Sequence, residues 1–279
     1  MNDKRQKVLI AVDELARLLE ADNAVVLLDV IDERGVAPDE RAKIPGALSV
    51  HLATDFSAEP TATSGRRPLP DIDELQSKAR TWGIRNDSPV VIYDNSTGSQ
   101  AARAWWTLRW AGLTNVRMLD GGFGAWTAAK RPSSNHVATQ ASRAGDVVLQ
   151  AGCMPTIDAD QAARLAKQSR LFDARAKSAY VGEPGKAGTG HIPGAILATS
   201  GDNIAEGKFK ADDELRVRFA RIGADGSSPI GVYCGSGNAA SHAIAAMCSV
   251  GLEPALYVGS WSHWSADPSR PVATGLEPG

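Results

Sequence analysis

Residues 229–242 read PIGVYCGSGNAASH. Apolar residues suited to a buried strand run into Cys234, a Gly-Ser-Gly turn follows, and an alanine-rich helical stretch comes next. A thiol there is either core packing at a strand end or a nucleophile on display. In an open parallel sheet, sites form outside the carboxyl ends of strands, where strand hands over to helix. Gly235 and Gly237 let the loop curl so that successive N–H groups point inward as an anion nest. The next helix adds unpaired N–H donors and its dipole. Both effects favour a thiolate over a thiol. No charged side chain lies between Cys234 and His242, so the expected stabilisation comes from backbone dipoles. Cys248, in the apolar stretch AIAAMCSVG, suits a buried core residue. Cys153 reads as an incidental thiol.

The elements that must position Cys234 are written twice. VLLDV at 26–30 is echoed by RLFDA at 170–174, setting Asp29 against Asp173. IPGA recurs at 44–47 and 192–195, and PVVIYD at 89–94 matches PIGVYC at 229–234, so Asp94 aligns with Cys234. GGFGAW at 121–126 matches GSWSHW at 259–264. An ordered repeat at an offset near 140 residues is the signature of duplication. Each copy alternates continuous apolar strands with amphipathic segments, which implies an α/β fold with a parallel sheet flanked by helices. The expected division is a first domain over 1–131, a Ser/Ala/Gly-rich linker over 132–153, and a second domain over 154–279. Within the first, DIDELQSKARTWG reads as a helix capped by Asp71 and stopped at Gly83.

Composition excludes several function classes. With 279 residues, 43% hydrophobic, 22% charged and a net charge of −2, the chain has no electrostatic footprint for nucleic acid or an acidic membrane surface. No apolar run approaches the ~18 residues that span a bilayer. Three cysteines form no disulfide framework and fit a reducing, cytoplasmic compartment. The five histidines make no His-x₃-His pair and the cysteines no Cys-x₂-Cys pair, so neither a metal nor another cofactor is expected.

Tandem α/β repeats, GHIPGA at 190–195 and a CGSG loop on the second copy alone resemble the rhodanese family of sulfurtransferases, and the resemblance runs from VLLDV to SWSHWSADPSRPV. The neutral CGSG loop is most similar to the 3-mercaptopyruvate branch. The resemblance implies that Cys234 takes sulfur from a small-molecule donor, 3-mercaptopyruvate or thiosulfate, becomes a persulfide, and passes the sulfur to thioredoxin, another thiol or cyanide. It implies that the loop amides of Gly235, Ser236, Gly237, Asn238, Ala239 and Ala240 cradle the persulfide, with Ser236 helping to hold the donor. Asp94 cannot carry sulfur, so the first copy is expected to be catalytically silent and to wall the site; Arg103, Trp105 and Trp106 on the following helix either reach the cleft or are core aromatics and a surface arginine.

The chain departs from that branch at one place. The segment DARAKSAYVGEPGKAGTGHIPGA puts Ala179 and Gly185 where two carboxylate-binding arginines are expected. Lys186, Lys177 and Arg175 are the nearby cations that could receive a donor, though lysine lacks the arginine fork. Asp173 and Arg175 are expected to pair and fix the loops, with His191 supporting them. Two rivals share the Cys loop. A cysteine phosphatase needs an arginine where Ala240 or Ser241 stands; a sulfur-carrier or regulatory module would keep the thiol without turnover.

Overall fold

The computed structural model describes residues 3–21, 25–31, 41–183, 185–186 and 188–279. The apolar runs of the first repeat form strands β1 (Leu9–Ile10), β2 (Val26–Ile31), β3 (Leu48–His51), β4 (Val90–Asp94) and β5 (Val116–Leu119). They pair in parallel in the order β1-β5-β4-β2-β3. The second repeat gives β6 (Thr156–Ile157), β7 (Leu171–Asp173) and β8 (Ile196–Leu197), an antiparallel ribbon β9 (Ile204–Ala205) and β10 (Lys208–Phe209), then β11 (Gly231–Tyr233) and β12 (Ala255–Tyr257). Its sheet order, β6-β12-β11-β7-β8, repeats the first strand for strand. The two α/β sheets therefore each place their central strand, β4 or β11, beneath the loop that carries Asp94 or Cys234.

Helices cover both faces, as continuous apolar strands require. In the first repeat they are α1 (Asp3–Gln6), α2 (Val12–Glu20), α3 (Leu52–Asp55), α4 (Ile72–Thr81), α5 (Ser99–Trp110) and α6 (Gly122–Ala128). In the second they are α7 (Ala159–Lys167), α8 (Lys177–Val181), α9 (Asp212–Arg221), α10 (Asn238–Ser249) and α11 (Ser260–Trp264). Helix α4 starts as its sequence dictates: the Asp71 carboxylate accepts from the N–H groups of Asp73 and Glu74, and Gly83 beyond its end adopts φ +78°.

The two helices that follow the central strands behave differently from the others. Both α5 and α10 are buried along almost their whole length, and they pack on each other across the domain boundary. A helix apolar all round has no face for water. Here one face meets its own sheet and the other meets its pseudo-symmetric partner. Trp105, Trp106, Ala243 and Ile244 share one core that runs through both repeats.

The segment 132–152 does not hang free as a linker. Lys43 and Ser134 exchange backbone hydrogen bonds, Ser49 N–H donates to Ala138, and Gln150 N–H donates to Ala111. Val147 and Leu149 are buried. This is a strap along the first repeat, held by backbone bonds, by side chains of Gln76, Arg80 and Asn86, and by apolar anchors rather than by any periodic pattern.

Arg5 ties the repeats together on the far side. Its guanidinium donates to Asp120 and Asp212 at 3.0 Å each, and to the carbonyls of Lys210 and Phe209. Its side chain is 13% exposed, so removing it strands two carboxylates in a partly dry site. Arg5→Ala is expected to cost roughly 2–4 kcal/mol, measured by urea unfolding; a loss below about 0.5 kcal/mol would show that the clamp is idle.

Candidate active site

Cys234 follows β11 and is 3% exposed. Gly237, at φ +100°, turns its N–H back to donate to Cys234 Sγ at 3.1 Å. Helix α10 begins at the next residue, so its first N–H groups have no intrahelical acceptor. The strand end is pinned from the other side. Ser260 Oγ accepts from Cys234 N–H at 3.3 Å, while Trp261 and Ser262 N–H groups donate to the Cys234 and Gly235 carbonyls. Gly237 is favoured by its left-handed backbone, and both loop glycines lie close to arginine side chains of the first repeat. A β-carbon on Gly237 would lie 3.1 Å from Arg103 Nη1, and one on Gly235 would lie 3.1 Å from Arg66 Nη2.

The first repeat holds a comparable cradle, filled, with one residue more between Asp94 and Gly98 than between Cys234 and Gly237. Asp94 Oδ1 accepts from Ser96 N–H, Ser96 Oγ and Gly98 N–H; Oδ2 accepts from Gln100 and Ala101 N–H at 3.1 and 2.9 Å. Gly98 and Gly237 both sit immediately before their helices in the left-handed region. Counting from them, Gln100 and Ala101 correspond to Ala239 and Ala240. Cys234 Sγ and Asp94 Oδ1 each accept from the glycine N–H that precedes their helix. The place of Oδ2 has no counterpart atom on a cysteine.

Charge reaches the cysteine loop from the other repeat. Arg103 is the fifth residue of α5 and His242 the fifth of α10, and each lies under the glycine that precedes the other's helix. Arg103 is fully buried. Its Nη2 donates to the Arg67 carbonyl at 3.0 Å and its guanidinium lies over the Trp106 ring, while Nε and Nη1 have no hydrogen-bond partner. Burial pulls this guanidinium down to about 10, against the opposing pull of negative charge at Cys234. His242 stacks on Phe209 at 4.6 Å. Burial pushes its imidazole down to about 4, with the Asp94 charge opposing.

Above the loop lies a cleft of about 390 Å³ lined by Thr54, Ser57, Glu59, Arg66, Arg67 and Ser236. Arg66 N–H donates to Ser262 Oγ, whose own N–H holds Gly235. The first repeat is thereby latched onto the cysteine loop. Of the loop amides, Gly237 N–H donates to Cys234 Sγ, and the cations beside the loop and its cleft are Arg66, Arg67 and Arg103. Arg66 and Arg67 carry no sequence signal beyond two adjacent arginines before a proline; only the docking of the repeats brings them here.

The second-repeat residues fall into two groups. Asp173 and Arg175 form a buried pair, with Arg175 Nε 3.0 Å from both carboxylate oxygens and Nη2 also donating to the Gly190 carbonyl. The Trp261 ring lies 4.6 Å below the guanidinium, so this arginine is committed to holding the GHIPGA loop. His191 is buried, stacked 3.7 Å from Tyr180, with both ring nitrogens facing carbonyls of Tyr180 and Pro278. Lys177, Ala179, Gly185 and Lys186 are all exposed. Lys186 pairs with Glu183 at 2.7 Å, and neither lysine lines the cleft. Trp105 donates to the Val116 carbonyl in the core. Cys248 lines a separate cavity with Cys153, and burial pushes the Cys248 thiol up to about 12.

Among the described residues no group of three or more His, Cys, Asp or Glu could hold a metal, and no helix is long and apolar enough to cross a membrane.

The rhodanese-like domain profile matches residues 11–129 and 158–267. A Mycobacterium tuberculosis protein, named as a candidate thiosulfate sulfurtransferase, is 41% identical over 97% of this chain and 98% of its own length. The 3-mercaptopyruvate sulfurtransferase of Escherichia coli is 30% identical over 88% of this chain and 92% of its own. The solved 3-mercaptopyruvate sulfurtransferase of Leishmania major superposes with a TM-score of 0.78 at 24% identity, covering 92% of this chain and 74% of that one. The chain belongs to the rhodanese family, with two tandem domains of that fold.

His242 gives the site a pH signature. Its folded value of about 4 lies below the ordinary 6.5. Stability from this group is therefore complete above about pH 6.5 and is lost as pH falls toward 4, because the unfolded chain takes the proton first. In urea unfolding, the stability difference between wild type and His242→Gln should narrow by roughly 2–3 kcal/mol over that window. A constant difference would show that His242 is not held neutral.

Proposed function

We propose that this sulfurtransferase of the thiosulfate/3-mercaptopyruvate type moves sulfane sulfur through a persulfide on Cys234. The observation that carries the reading is the filled cradle of the first repeat. There a two-oxygen anion spans the glycine N–H and two helix N–H groups. A persulfide is also a two-atom anion: with Sγ in the Oδ1 place, its outer sulfur falls in the Oδ2 place, against the N–H groups of Ala239 and Ala240. Hydrogen bonds aimed where charge develops are the strongest help a buried site can give.

The Cys234 thiolate attacks the outer sulfur of the donor. With thiosulfate, the S–S bond breaks and its electron pair leaves on sulfite. With 3-mercaptopyruvate, the C–S bond breaks, and the departing pyruvate enolate takes the thiol proton. Both routes leave a persulfide anion. A thiol or cyanide then attacks the outer sulfur, becoming a persulfide or thiocyanate and restoring the thiolate. Thioredoxin is an acceptor of the right chemistry. Ser236 stands on the cleft wall to meet the donor, and the Asp173–Arg175 pair and His191 hold the flanking loops. The first repeat is silent because its cradle is satisfied by Asp94, which cannot bind sulfur. The names of the relatives from M. tuberculosis and E. coli support both donors.

Cyanolysis tests the reading. Enzyme, donor and cyanide should give thiocyanate with either donor. Cys234→Ser should abolish it, and Cys153→Ser and Cys248→Ser should not. Donor treatment without acceptor should make the Cys234 peptide about 32 Da heavier, one sulfur atom. Turnover that survives Cys234→Ser would sink the proposal.

A further inference from the structure

The cations beside the second-repeat loop are spent or turned away. Arg175 is locked to Asp173 and the Gly190 carbonyl, Lys186 is paired with Glu183, and Ala179 and Gly185 offer no charge. An anionic donor nonetheless needs a counter-charge, and the described residues that supply one around Cys234 belong to the first repeat. Arg66 is exposed at the cleft and its Nη2 abuts Gly235. Arg67 lines the same cleft, as does Ser236 of the cysteine loop. Arg103 lies beneath, fully buried, with Nε and Nη1 unpartnered and Nη1 against Gly237.

A buried guanidinium with two idle nitrogens is costly unless an anion answers it. The Gly237 N–H joins this cation to Cys234 Sγ within one residue. Glu59 is the acidic residue in the cleft lining, and two arginines outweigh it. We propose that the donor-anion site is built by the first repeat: Arg66 and Arg67 receive the sulfonate or carboxylate of the donor in the 390 Å³ cleft, and Arg103 is the counter-charge for the sulfur anion on Cys234. The proposal rests on Cys234 being the reactive centre. It assigns the ligand class, a small sulfur compound ending in a sulfonate or carboxylate, to residues of the copy that carries no thiol. An arginine pair can present the forked donors that a carboxylate or sulfonate fits, as a lone lysine cannot.

The test uses the intact protein and two reagents of like size, anionic iodoacetate and neutral iodoacetamide, with alkylation of the Cys234 peptide followed by mass. Arg66→Ala and Arg67→Ala should each lower the iodoacetate rate about tenfold while leaving the iodoacetamide rate within about twofold. Arg103→Met should slow both reagents about tenfold, and Arg103→Lys should recover most of the loss. Misfolding alone would not produce that reagent preference or that rescue. Because Arg66 is exposed, Arg66→Ala decides the matter even where Arg103→Met does not fold. In steady-state assays the two cleft variants should raise KM about tenfold or more with little change in kcat. A rise for thiosulfate alone assigns the pair to the sulfonate, and a rise for 3-mercaptopyruvate alone to the carboxylate. An iodoacetate-to-iodoacetamide ratio that is the same in wild type and Arg66→Ala overturns the proposal, even if sulfur is transferred. A charge preference lost in the variants, with no sulfur transferred from either donor, upholds the anion site and sinks the sulfurtransferase reading instead.

Discussion

The packing of α5 against α10 is the constraint from which the site follows. Each helix springs from the loop at the end of a central strand, and each is buried on both sides. Two such helices meeting about a pseudo-twofold axis bring the fifth residue of one under the loop of the other. A polar side chain in that seam has no water to fall back on, so each must find a partner or be used. Thr107 and Ser241 answer with bonds to carbonyls of their own helices. Arg103 answers only in part, through the Arg67 carbonyl and the Trp106 face.

What could be read from the chain follows from what is local. Strands β2, β4 and β11 announce themselves as apolar runs, and the shared words VLLDV/RLFDA and PVVIYD/PIGVYC bring Asp94 and Cys234 to one fold position. Asp71 and Gly83 mark the ends of α4 because capping is a matter of neighbouring residues. The Asp173–Arg175 pair is also local, two positions apart after a strand. The strap over 132–152 is not legible, because its hold is backbone hydrogen bonding, bonds from distant side chains such as Gln76, Arg80 and Asn86, and isolated apolar residues. The cations are illegible for a stronger reason. No charge lies near Cys234 along the chain, yet Arg66 and Arg103 flank its loop in space and Arg67 lines the cleft beside Ser236. Lys177 and Lys186 are the converse: close to GHIPGA in sequence and turned outward, with Lys186 satisfied by Glu183 three residues earlier.

The two loops solve one electrostatic problem in opposite ways. Asp94 brings its own anion and collects five donors for it. A carboxylate so supplied needs no cation, and the residue that α10 sends beneath it is a histidine that burial keeps neutral. Cys234 collects one donor from the same kind of loop. The residue that α5 sends beneath it is an arginine, which stays charged even when burial pulls it down. Donor count and facing charge are complementary: where the backbone suffices the partner is neutral, and where it does not the partner is cationic.

That complementarity gives the thiol-free repeat a physical reason to be there. A lone second domain would leave its cysteine loop open to water, where charge interactions are strongly screened. Docking the first domain covers the loop and brings Arg103 beneath Gly237, where a charge is screened less. The seam that buries α5 and α10 therefore does two things at once. It supplies the apolar contact that joins the repeats, and it supplies the dry setting in which one guanidinium can act on one sulfur. Substituting Asp94 would empty the first cradle without arming it, because the charge facing that cradle is the wrong one: a neutral His242 offers a sulfur anion no counter-charge.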